Sequence, residues 1–272
     1  MEQVRLTGVR ATLLITLYAK AAESRLPGSL LQDRYAAEAV ARIDHDFAAL
    51  RMSRDAMIGL SMRAYSLDAW VRDFLAAHPV ATVLHLGCGL DSRVFRVDPS
   101  PGVAWFDVDY PDVIALRRTV YPDRPGCELV GTSLAELDWL ARIPADKPTL
   151  VVAEGLLLYL HEAQVLNLLR VITTQFPSGE IAFDAYSRLG LALASRNPMF
   201  RATGAPMRWS LEDAQMLEAQ VPGLRLRTEQ WVYEEAGGAQ WARFSWPARV
   251  GVWLMRRVPP LRRLGRLLRY GY

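Results

Sequence analysis

The chain has 272 residues, 51% of them hydrophobic, enough for one large domain with a sizeable core. No window approaches 18 uncharged apolar residues, which argues against a transmembrane helix. The net charge of +3 is uneven: residues 249–272 hold seven arginines and no acid, so the remainder carries −4. Such a basic end suits nucleic acid, an anionic membrane surface, or a solvated helix followed by an edge strand. The last is preferred, because Leu261, Leu264 and Leu268 recur at helical spacing.

The apolar run Ala11–Tyr18 is too short and interrupted for a signal peptide and reads as a helix. Residues 8–78 are helical in pattern, with apolar residues at three-to-four spacing in Leu30–Ala49 and Ser66–Ala77. His78-Pro79 ends this part, since proline disfavours helix at the residue before it. Strand and helix then alternate: strands at Val80–Leu86, Val103–Val108, Glu128–Gly131, Thr149–Glu154 and Glu180–Tyr186, with helices at Ser92–Val97, Pro111–Tyr121 and Glu162–Thr174. Unbroken apolar strands in such an order predict a parallel, doubly wound sheet covered on both faces. Residues 187–240 break the rhythm, with a helix near Leu211–Ala219 and a strand-like LRLRTEQWVY, and read as a substrate cap. A C-terminal helix and a last strand at Leu267–Tyr272 complete a single domain. Its parts are 1–78 (N-terminal helices), 79–186 (cofactor-binding core), 187–240 (cap) and 241–272.

The strand ending in Gly87-Cys88-Gly89 runs into a tight turn where backbone can approach a ligand. Asp107 lies 20 residues beyond Gly87 and Asp109 lies 22, the spacing of an acid that bonds a ribose. Gly87, Asp107, Asp109, Glu154 and Asp184 all fall at predicted strand ends, where ligands of such sheets bind. Ser92 stands where a dinucleotide fingerprint has its third glycine, which disfavours a nicotinamide cofactor, and no P-loop is present. A cofactor with adenosine and no phosphate is S-adenosylmethionine. Cys88 and Cys127 have no disulfide spacing, and neither they nor the histidines at 45, 78, 85 and 161 show metal-ligand spacing. Two cysteines of this kind suit a reducing cytoplasm, and Cys88 reads as a small packing residue.

The segments LGCGLDSR, FDVDYP and VVAEGLLLYL resemble the leucine carboxyl methyltransferase family. TLYAKAAES, FDAYSRLG, RATGAPMRW and LLRYGY extend the likeness over most of the chain, toward the bacterial branch of tetracenomycin-type polyketide O-methyltransferases. The resemblance implies a Rossmann-like methyltransferase sheet with S-adenosylmethionine as donor. It assigns Arg63 to the methionine carboxylate, with Lys20 beside it, Gly87 and Gly89 to close backbone approach, and Glu154 to the methionine end. It ranks Asp109 over Asp107 for the ribose. Ser133-Leu134 stands where the protein-methylating branch has Asp-Leu framing the adenine, so Ser133 would contact the base without charge.

Methyl transfer to oxygen is an in-line displacement in which alignment dominates. A carboxylate acceptor needs no base. A hydroxyl benefits from one, and Asp184, Tyr186 and His161 are the candidates, His161 being also placed to cap the following helix. Tyr186, Arg201, Met207 and Trp209 are expected to line the acceptor pocket, with Arg201 as an anchor for an acidic group. The expected activity is O-methylation of a carboxylate or hydroxyl of a small secondary metabolite such as a polyketide. The alternatives are a protein carboxyl methyltransferase and a nicotinamide-dependent reductase. No nucleic-acid partner is expected, and the sequence leaves the oligomeric state open.

Overall fold

The computed structural model describes residues 2–3, 8–233 and 240–272. Two two-residue strands, β1 (Glu2–Gln3) and β2 (Ile43–Asp44), pair in parallel beside the N-terminal helices α1 (Thr12–Glu23), α2 (Arg34–Arg42) and α3 (Arg54–Ala77). The main sheet contains β3 (Ala81–Leu86), β4 (Val103–Asp109), β5 (Cys127–Gly131), β6 (Thr149–Ala153), β7 (Gly179–Ala185), β8 (Arg225–Trp231) and β9 (Arg266–Gly271). Its order is β5-β4-β3-β6-β7-β9-β8. The first five strands in this order are parallel, and β9 runs antiparallel to both neighbours.

The apolar strands divide their side chains between two cores because successive residues point to opposite faces. Leu84, Leu86, Phe106, Val108, Val151 and Phe183 face α6 (Glu162–Gln175), meeting Val165, Leu168 and Ile172. Val83, Trp105, Leu150, Val152 and Ala182 face the opposite way, onto Leu67, Val71 and Phe74 of α3 and Val94 of α4 (Arg93–Val97). Both faces are therefore buried, which explains the lack of polar alternation in these runs. The helix α5 (Pro111–Val120) begins on a proline, as its sequence predicts.

Three expectations need correction. The 30–49 pattern yields helix only over Arg34–Arg42, because Ile43-Asp44 extends to pair with β1 and Asp46 accepts from Ala48 and Ala49 N–H, capping a short 3-10 turn instead. The helix expected from Leu211 starts only at Met216, as α9 (Met216–Gln220); Asp213 accepts from Gln215 N–H just before it. The sheet is mixed rather than wholly parallel, and the last strand is interior rather than an edge. β9 lies between β7 and β8, and its Arg266 and Arg269 pair with Glu229 and Glu180.

Between β7 and β8 the chain forms α7 (Arg188–Arg196), α8 (Pro198–Arg201) and α9, and then β8 itself joins the main sheet. Residues 187–240 thus include a sheet strand as well as helices, and 234–239 of that stretch lie outside the described residues. The basic end forms α10 (Trp246–Arg257) and α11 (Pro259–Arg262) before β9. No described helix is long and apolar enough to cross a membrane.

Candidate active site

A cavity of about 320 Å³ opens where β3, β4 and β6 end, roofed by α1 and the segment after β7. Its floor is the glycine turn. Gly87 and Gly89 both adopt left-handed backbone, with φ of 60° and 49°. The left-handed backbone favours glycine at Gly87, and a β-carbon there would also press on the end of the Leu156 side chain, 2.8 Å away. Cys88 is buried, its N–H held by the Val108 carbonyl at 3.2 Å. Asp109 then braces the turn, accepting from Gly89 N–H at 2.8 Å and from Tyr110 N–H at 2.7 Å. Burial raises its pKa despite these bonds, and its carboxylate lines the cavity.

Asp107 has a different fate. It pairs with His85 in the β3–β4 register and is fully buried. It takes hydrogen bonds from Arg117 at 2.5 Å, His85 Nδ1 at 2.9 Å and Trp105 Nε1 at 2.9 Å. Burial alone would raise its pKa, but the Arg117 charge and the His85 bond bring it down to about 2. Asp107 does not line the cavity; it fastens β4 to β3 and α5, and the ribose expectation for it is withdrawn.

At the deep end lies a buried ionic network. Glu154, just past β6, pairs with Lys20 of α1 at 3.2 Å, with Arg63 of α3 at 3.2 Å and with Arg93 of α4. Asp91 pairs with Lys20 at 2.9 Å and Arg96 at 2.6 Å. Arg93 and Arg96 share Asp68 of α3, and Arg96 also reaches Asp33, the N-cap of α2. Burial opposes ionisation of Glu154, yet Lys20, Arg63 and Arg93 hold its pKa down at about 2. Asp91 is held well below the usual carboxylate range against burial by Arg96, Lys20 and Arg93. Arg93 can only donate, so His85 Nε2 accepts from it at 3.1 Å while Nδ1–H serves Asp107. Burial favours that neutral imidazole by lowering its pKa.

Lys20, Arg63, Gly87, Gly89, Asp109, Leu134 and Glu154 are thus brought together on the cavity wall. Ser133 is not on it: its hydroxyl accepts from Ala135 N–H at 3.3 Å, and Thr132, Leu134 and Ala135 face inward around it. Asp184 is also absent from the wall. It is buried, accepts from Gly155 N–H at 2.6 Å and pairs with Arg63 at 3.0 Å, so it positions that arginine and is not free to act as a base. Tyr186 lines the cavity, its Oη accepting from Arg63 at 3.3 Å, and burial pushes its pKa up, which disfavours the phenolate a base would need. His161 lines the cavity from the N-cap of α6, with Gln164 Oε1 accepting its backbone N–H at 2.9 Å.

Of the four expected acceptor residues, Tyr186 and Met207 face the cavity. Trp209 is 4% exposed and packs against Phe183, because its backbone N–H and that of Arg208 both bond the Leu158 carbonyl and turn the indole into the core. Arg201 is exposed at the end of α8 and does not line the cavity. Arg208, seven residues later, does line it, and sequence reasoning missed that residue. Asp91, Thr12, Thr16, Tyr159 and Phe200 also line the cavity unannounced. Asp91 and its partner Arg93 lie within the LGCGLDSR motif, so their position could have flagged them.

Comparison with known proteins follows the same direction. Residues 13–173 match the family described as leucine carboxyl methyltransferase. The tetracenomycin polyketide synthesis O-methyltransferase TcmP of Streptomyces glaucescens is 45% identical, covering 100% of this chain and 99% of its own. The S-adenosyl-L-methionine-dependent methyltransferase dpfgK of Gibberella zeae is 36% identical over 88% of each chain. A solved DUF574 family protein from Streptomyces avermitilis shares the fold, with a TM-score of 0.62, 12% identity and 97% of each chain covered. With more than half its length matched and a relative so similar from end to end, the chain belongs to the leucine carboxyl methyltransferase family.

Proposed function

We propose that this protein is an S-adenosylmethionine-dependent O-methyltransferase acting on a carboxylate or hydroxyl of a small molecule, a secondary metabolite of the polyketide type. The observation that carries the reading is the charge at the deep end of the cavity. Lys20, Arg63, Arg93 and Arg96 face five carboxylates, Asp33, Asp68, Asp91, Glu154 and Asp184, leaving one surplus negative charge. A ligand bearing a sulfonium, an ammonium and one carboxylate is its complement: Arg63 and Lys20 suit the carboxylate, and Glu154 and Asp91 suit the cationic groups. Asp109 beside the glycine turn suits the ribose hydroxyls, and Leu134 the adenine. When bound, this cofactor supplies an activated methyl group.

The residues of this chain then have to align an oxygen and exclude water. Arg63 donates to Tyr186 Oη, which leaves the phenol proton free to orient the acceptor. Leu13 and Thr12 of α1, Tyr159, Phe200 and Met207 form the surrounding wall, apolar with a few hydroxyls, which suits an aromatic acceptor. In this reading the N-terminal helices α1–α3 and the helices α7–α9 close over a core at 79–186, with β8 and β9 completing the sheet. Two free cysteines support a cytoplasmic location.

Titration calorimetry with S-adenosylhomocysteine and with nicotinamide dinucleotides tests the reading. Binding of the first and not the second is expected, with loss of binding in Arg63→Ala. Binding of a dinucleotide alone would overturn it.

A further inference from the structure

Among the described residues four cations line the cavity, and three of them are already matched by carboxylates. Lys20 meets Asp91 and Glu154, Arg63 meets Glu154 and Asp184, and Arg10 meets Asp112. Arg208 differs. Its Nη1 donates to His161 Nε2 at 3.1 Å, and no carboxylate reaches its guanidinium among the described residues. Its backbone N–H is pinned to the Leu158 carbonyl at 2.7 Å, so the segment that carries it is fixed on the turn after β6. Met207 beside it also lines the cavity.

We propose that Arg208, held by His161, is the specificity residue for the acceptor: it binds an anionic group on an aromatic substrate, at the rim of the cavity. This rests on the methyltransferase reading and adds to it a second polar feature that the substrate must carry. Arg208 is exposed, whereas Lys20, Arg63 and Glu154 have side chains only 3%, 7% and 5% exposed at the deep end. The anionic group is therefore an anchor and not the oxygen that is methylated. A guanidinium bonded to the reacting oxygen would also withdraw charge from the nucleophile. The imidazole fits this role because an accepting ring nitrogen, unlike a carboxylate, orients Arg208 without bringing a negative charge, leaving its remaining N–H groups for a planar carboxylate.

The test uses the intact protein saturated with S-adenosylhomocysteine and two ligands of one shape, 2-naphthoate and 2-naphthamide, measured by calorimetry. Naphthoate is expected to bind about tenfold or more tighter than the amide, as a charge-assisted hydrogen bond predicts. Arg208→Gln, which keeps N–H donors and removes the charge, is expected to erase that preference while leaving the amide and S-adenosylhomocysteine affinities in place. Equal affinities in the parent protein, survival of the preference in Arg208→Gln, or binding of neither ligand to protein that holds S-adenosylhomocysteine would each overturn the role of Arg208. Failure to bind S-adenosylhomocysteine would overturn the methyltransferase reading and this inference with it.

Discussion

Gly155 lies so close to Arg63 that a β-carbon on it would stand 3.2 Å from the guanidinium Nη2. Its backbone is left-handed, with φ of 64°, and its N–H is fixed by Asp184 at 2.6 Å. The same carboxylate thus sets both the turn after β6 and the arginine that packs on it. Gly155→Ala is expected to weaken S-adenosylhomocysteine binding about tenfold and to cost on the order of 1–2 kcal/mol of stability. Calorimetry and thermal unfolding of the same sample measure the two, and unchanged affinity would break the link.

The two acids of β4 separate by experiment. Asp107→Ala strips Arg117 of its buried partner and is expected to cost about 3–5 kcal/mol. Asp109→Asn leaves the core alone and is expected to weaken S-adenosylhomocysteine binding about tenfold, with a smaller stability loss of about 1–2 kcal/mol because an amide can accept only one of the two turn N–H bonds. Denaturant titrations alongside binding isotherms would refute the assignment if the two phenotypes were exchanged.

Acid should unfold the protein through its buried carboxylates. Folded-state values near 2 for Glu154 and Asp107 lie below their ordinary 4.5 and 3.8. Each group's stabilisation is therefore present above its unfolded pKa and disappears as pH falls toward 2, on the order of 2–3 kcal/mol apiece. Circular dichroism between about pH 5 and 2 should show cooperative loss of structure. Glu154→Gln should flatten the upper part of that decline.

Neither thiol is expected to react readily. Burial pushes Cys88 well up, and burial with Asp107 nearby takes Cys127 to about 12. A chromogenic disulfide reagent at pH 8 should label both only in denaturant; rapid labelling of folded protein would contradict the packing described.

In the cap, Trp209→Ala is expected to cost about 3–5 kcal/mol as a core truncation. Arg201→Ala should lie within about 0.5 kcal/mol of the parent and keep its turnover. Lost turnover in the Arg201 variant would return that residue to the acceptor site.

What the sequence makes legible here is what local pattern controls. The strand ending at Gly87, the proline that opens α5 and the acid at the end of β6 each announce themselves through residues close in the chain. Period-two geometry puts Asp107 and Asp109 on one face of β4, and only the neighbours Arg117 and His85 show which is bound inward. The network around Asp91, Arg93 and Asp68 joins elements far apart in sequence, so the motif that contains two of its members gives no hint of the third. Arg208 and Arg201 look alike on paper. The carbonyl of Leu158 decides between them, by fixing which side chains of 207–209 turn toward the cavity.

The place of β9 has a consequence for the order of assembly. Among the described residues β8 has no strand neighbour but β9, so residues 225–231 have no seat in the sheet until 266–271 arrive. Until then the edge of β7 stays open, on the strand that carries Asp184 and leads to Tyr186. A ribosome releasing this chain would have the glycine turn and β4 ready well before the wall of Arg63, Asp184 and Tyr186 could settle. Nascent chains stopped before 266 should accordingly hold the first half of the site and expose an aggregation-prone edge where the second half belongs.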